Sequence, residues 1–208
     1  MRLQAFGTLA AAFLVAACQG GVEDLAGPVE PLGDYRKGFV AVVAPNLQKG
    51  PVSRDATADE WTGAVEAALN ERFDRYEGTK FYHLGVSVEA YILAPPGIPV
   101  VLSPKSALIL NVTVWDDFTQ TKLNEEPHQV TVLETFGADT LIGTGYTKTK
   151  EEQIENLSQN AARAIERYMR TNGQWFGTQA EVLEDDATII DGDALMQAAG
   201  PTADGAEN

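Results

Sequence analysis

Few residues in this chain have the chemistry to act on a substrate, and their spacing is the first thing to ask about. Two histidines and one cysteine occur in 208 residues. A lone cysteine forms neither an internal disulfide nor a cysteine-based zinc centre. His83 and His128 each stand at the start of a strand-like segment, His128 directly after Pro127. Neither has the companions of a metal site, which recur at short fixed spacings such as His-Glu-x-x-His. Asp116-Asp117 carries the charge of an acid/base pair. A carboxylate doublet leading into a polar stretch reads more simply as a turn, because Asp side chains accept from nearby backbone amides. Ser103, Ser106 and Ser158 lack the Gly-x-Ser-x-Gly surroundings of a hydrolase nucleophile. Gly143-Thr144-Gly145 lacks the Lys and the length of a phosphate-cradling loop. The reading is of a chain that is not an enzyme, with no catalytic residue, no metal site and no cofactor. A hydrolase built on Asp116, Asp117 and His128 is the disfavoured alternative.

The cysteine has another use. Met1-Arg2 is a positive start, and Leu3 to Ala17 is an uncharged run dominated by Ala, Leu, Phe and Val. Counted through Cys18 it has sixteen residues, short of the roughly 20 that span a bilayer as a helix. A basic head, a brief apolar run and small residues at its end read as a secretory signal. Val15-Ala16-Ala17-Cys18 resembles the bacterial lipobox. The resemblance implies cleavage before Cys18, lipidation of its sulfur and acylation of the new amino group with palmitate-type chains. Two or more such chains make a stable anchor where one would be marginal. Gln19 beside the cysteine resembles lipoproteins sorted to the outer membrane with the domain facing the periplasm; the inner membrane is the lesser alternative.

The elements behind these residues divide the chain into four parts: residues 1–17 as signal peptide, 18–34 as a Gly- and Pro-bearing flexible linker, 35–177 as one domain, and 178–208 as an acidic, mostly disordered tail. In the domain, Phe39-Val40-Ala41-Val42-Val43-Ala44 is a continuous apolar run, expected to be a strand buried on both faces. Thr57 and Glu60 have capping-box spacing, and Trp61, Val65, Ala68, Leu69 and Phe73 follow as one helical stripe. Alternation then marks strands around Val86–Ile92, Leu108–Trp115 and Gln129–Phe136, with a short fourth at Thr140–Tyr146. A hairpin longer than the tight two-residue kind is expected over Asp116–Glu126. Thr149 and Glu152 open a second helix, whose stripe runs through Ile154, Leu157, Ala161, Ile165 and Tyr168 to Asn172-Gly173. The fold class is α+β, a mostly antiparallel sheet of four to five strands with two helices on one face, in the order β-α-β-β-β-(β)-α. The first strand–helix–strand unit is open to a parallel crossover.

Charge narrows the partners. Thirty acidic against fifteen basic residues give a formal balance of −15, which argues against nucleic acid and against electrostatic adsorption to anionic lipid. The four-proline stretch Leu93–Pro104 holds Ile98, Val100, Val101 and Leu102, the candidate loop for a protein partner. Trp175 and Phe176 read as core edge.

The Val-rich opening strand Phe39–Ala44, the helix Ala58–Tyr76, the turn in Val112-Thr113-Val114-Trp115-Asp116-Asp117-Phe118-Thr119 and the Ala-rich last helix Glu151–Arg170 together resemble a broad class of small bacterial envelope lipoproteins. That class includes outer-membrane activators of penicillin-binding proteins and the globular core of the curli-secretion lipoprotein. Gln120 stands where the class usually has Gly. The resemblance implies a membrane-anchored, non-catalytic protein that docks onto another envelope component. The alternative is an activator or accessory subunit of a cell-wall synthase or secretion complex.

Overall fold

The computed structural model describes residues 25–95, 106–134 and 148–177. Cys18, the lipobox residues Val15, Ala16 and Ala17, the candidate loop residues Ile98, Val100, Val101 and Leu102, the expected strand at 140–146 and the acidic tail all lie outside them.

The described residues form an α+β fold with a mixed, mostly antiparallel sheet of six strands. Strand β1 (Tyr35–Val43) is followed by the two-residue β2 (Gln48–Lys49), helix α1 (Ala58–Phe73), β3 (Lys80–Ile92) and β4 (Ala107–Asp116). The two-residue β5 (Thr121–Lys122), β6 (His128–Leu133) and helix α2 (Lys150–Thr171) complete it. β3 and β4 form the central antiparallel pair. β6 and β5 continue antiparallel along the far side of β4. β1 and β2 run parallel to β3 on its other side, so β1–α1–β3 is the parallel unit the sequence left open. The extra strands β2 and β5 are too short to carry any periodicity of their own.

Both helices begin as their spacing predicts. Thr57 Oγ1 accepts from the Glu60 amide at 3.2 Å, and the Glu60 carboxylate accepts from the Thr57 amide at 2.7 Å. Thr149 and Glu152 do the same for α2 at 3.1 and 2.7 Å. Each box satisfies amides that a helix start otherwise leaves unpaired. Lys150, in the first turn of α2, pairs with Glu60 of α1, tying the two starts together and holding the Glu60 carboxyl below its ordinary range.

The helices share one face of the sheet. Trp61, Val65, Leu69 and Phe73 of α1 and Leu157, Ala161, Ile165 and Met169 of α2 are buried against Leu84, Val86 and Val88 of β3 and Leu108, Leu110, Val112 and Val114 of β4. At one end of this core Tyr35 is surrounded by the rings of Phe73, Tyr76, Tyr82 and Phe176, with centroids 5.3 to 5.9 Å away. Phe176 is core, and Trp175 packs at its margin.

Two expectations change. The run Phe39–Ala44 is not buried on both faces: β1 is an edge strand, Val40 and Val42 turn to the helices, and Phe39 is 80% exposed on the other side. Part of the expected linker belongs to the domain. Leu32 is buried, and so is Asp34, whose carboxylate accepts from the Thr79 amide at 2.5 Å and hydroxyl at 2.7 Å. The Asp34 amide donates to the Phe176 carbonyl at 3.1 Å. Gly33 bends the chain there with φ +94, and a Cβ on it would lie 2.3 Å from the Gly177 carbonyl oxygen. The first and last described segments therefore meet side by side.

Candidate functional site

Among the described residues no helix packs on the second face of the sheet. Strand alternation decides what it shows. With Tyr82, Leu84 and Val86 turned inward, Phe81, His83 and Ser87 of β3 turn outward; with Val112 and Val114 inward, Thr113 and Trp115 of β4 turn outward. β1 adds Phe39 and Val43, and β6 adds Leu133, all three exposed.

One row of side chains crosses this face. Phe39 lies on His83, ring centroids 5.4 Å apart. His83 stands directly opposite Trp115 in the β3–β4 register. Lys122 of β5, opposite Trp115, holds its ammonium 5.5 Å from the indole centroid, a cation–π arrangement. Beside the row, the Arg36 guanidinium sits 5.2 Å above the Phe81 ring.

A bulge positions the row. The β1–β3 register shifts between Lys37 and Val40, leaving the Phe39 amide without a ladder partner. His83 Nδ1 accepts it at 2.9 Å. The acceptor role leaves the proton on Nε2 of the neutral ring, which donates to Asp117 Oδ1 at 2.8 Å. Gly38 is required for this approach, since a Cβ there would come within 2.4 Å of His83 Nδ1. His83 is thus a brace that holds Phe39 outward.

The residues weighed for hydrolysis are not brought together. Asp116 Oδ1 accepts from the Phe118 amide at 2.9 Å, the turn expected of the doublet, and Asp117 is taken by His83. His128 is on the helix side, stacked on Tyr168 at 3.7 Å, across the sheet from His83 and Asp117. Ser106 serves structure: its hydroxyl accepts from the Ala94 amide at 3.1 Å. Among the described residues no group of three His, Cys, Asp or Glu could hold a metal ion. No helix among them is long and apolar enough to cross a membrane.

The sequence reading missed Phe39 and Trp115 as displayed residues. The usable signal was the alternation itself: Phe81, His83 and Trp115 occupy the phase opposite to Tyr82, Leu84 and Val114, where a solvated face would carry polar residues.

No family model and no curated protein matches the chain. Solved structures similar in outline include a Xanthomonas campestris protein of the DUF330 family, 12% identical, covering 71% of this chain and 92% of that one with a TM-score of 0.43. A minor lipoprotein from Acinetobacter baumannii is 17% identical, covering 64% and 94%, with a TM-score of 0.28. The PelC dodecamer from Paraburkholderia phytofirmans is 10% identical, covering 65% and 90%, at 0.34. Likeness at this level assigns no residue and no activity.

Proposed function

We propose that this chain is a lipid-anchored protein of the bacterial envelope that docks, without catalysing a reaction, onto a protein partner close to its own membrane. The anchor is Cys18, and the membrane is the outer one, with the domain in the periplasm. The observation that carries the docking role is the bare sheet face. Phe39 is 80% exposed there, with Phe81 and Trp115 partly exposed beside it, and a contiguous apolar display of this kind is unusual on a surface that meets only water. Aromatic side chains flanked by Arg36 and Lys122 have the composition of a binding hot spot, where Trp, Tyr and Arg dominate. A protein surface offering an apolar patch edged by carboxylates is the matching partner.

The test places a photo-crosslinking amino acid at Val43 in the full chain in cells. The expected result is one defined crosslinked protein that disappears in Phe39→Ser/Trp115→Ser, while that variant stays folded and in the membrane fraction. Substituting Ser at Ile98, Val100, Val101 and Leu102 separates the candidate loop's share from that of the sheet face. Cys18→Ser is expected to move the protein into the soluble fraction. A crosslink unchanged by the face and loop substitutions, or no crosslink at all, overturns the docking role.

A further inference from the structure

Five of the chain's eight arginines, Arg72, Arg75, Arg163, Arg167 and Arg170, line one cavity of about 270 Å³. Arg163, Arg167 and Arg170 follow one another at steps of four and three, which puts them on one side of α2. Arg72 and Arg75 come from the end of α1 and the turn after it.

Two carboxylates stand among them. Glu166 accepts from Arg72 Nη1 at 2.7 Å, from the Tyr76 hydroxyl, and has Arg170 at 3.5 Å. Glu30 pairs with Arg170, and Arg75 donates to the Gly27 carbonyl at 2.7 Å. Five arginines and two glutamates line this cavity, in a chain whose formal balance is −15. Arg72 is 1% exposed and its guanidinium pairs with Glu166.

Guanidinium forks match the oxygens of phosphate in pairs, and several forks converging on one small volume suit an anion with more than one charge. The cavity lies just under the roughly 300 Å³ at which pockets for drug-sized ligands begin, a size for a single charged group. We propose that this cavity binds a phosphate group, carried by a phospholipid headgroup or by a small soluble phosphate. Pro28, Val29 and Glu30 form part of its wall, so the segment leading from Cys18 passes the site. Seven residue steps from Cys18 to Leu25 span at most about 25 Å.

The test uses the full chain carrying Cys18→Ser, so that no acyl group contributes. One arm titrates it with inorganic phosphate. The other floats it with phosphatidylcholine vesicles, with and without phosphatidic acid. The expected result is saturable binding in at least one arm, weakened tenfold or more by Arg163→Gln/Arg167→Gln and unchanged by Lys49→Gln. Should the double variant fail to fold, Arg167→Glu gives the same reading: its side chain is exposed and makes no ion pair among the described residues. Binding only to phosphatidic acid vesicles assigns the lipid headgroup, and binding of inorganic phosphate assigns the soluble ion. No binding in either arm, or binding that survives both arginine variants, overturns the site. None of these readings involves the bare sheet face, so the docking role stands or falls separately.

Discussion

At the scale of single residues, the tyrosines Tyr35, Tyr76 and Tyr82 gather at one end of the core. Tyr35 is buried among aromatic rings, and its hydroxyl has no hydrogen-bond partner among the described residues. A hydroxyl taken from water without replacement costs free energy that its removal returns. Tyr35→Phe is therefore expected to stabilise the domain by about 1 kcal/mol, read as a higher urea midpoint with an unchanged m-value. A lower midpoint would mean that the hydroxyl is satisfied after all.

The same burial sets an alkaline limit. It pushes the Tyr82 phenol up to about 12 from its ordinary 10, raises Tyr35 further, and with the hydrogen bond to Glu166 also raises Tyr76. Folded, these phenols keep protons that the unfolded chain releases near pH 10. Their contribution is whole below pH 10 and is lost as pH rises from there through the folded values. Each can take away up to about 1.4 kcal/mol per pH unit. Urea midpoints measured from pH 9 upward should hold level and then fall above pH 10, less steeply in Tyr35→Phe.

At the scale of elements, the helices are the most self-specified parts. Each carries a complete capping box, and Thr57→Ala or Thr149→Ala should cost about 1 kcal/mol apiece, checked by thermal unfolding. A loss near zero in both would mean that tertiary packing alone fixes the helix starts. Boxes and stripes were readable because their partners lie within four residues. β1 was misjudged because an unbroken apolar run has no phase: a face pressed on helices and a face shown to solvent look alike when both are Val, Ala and Phe. The docking of Leu32 and Asp34 was unreadable for another reason. Asp34 finds its partner at Thr79, 45 residues away, and no local pattern announces such a bond. The row on the bare face shares this limit, since Phe39, His83 and Trp115 become neighbours only through strand order.

At the scale of the whole molecule, net charge proved a poor guide to local charge. A balance of −15 weighed against nucleic acid and against adsorption to anionic lipid, yet most of the arginines gather where α1 ends and α2 passes it. Carboxylates elsewhere dominate the sum without entering the cavity. The aromatic row and the arginine cavity also belong to different sides of the fold, one on the open sheet face and one between the helices, so one molecule can use both together.

The meeting of Asp34 with Phe176, and of Gly33 with Gly177, has a further consequence. Because Gly33 and Gly177 lie against each other, a short bridge between them would close residues 33–177 into a ring, and new ends could be opened at the exposed Thr119-Gln120 bend without severing the central strands. Such a circularly permuted version, or the domain spliced into a loop of a host protein, should keep its shape.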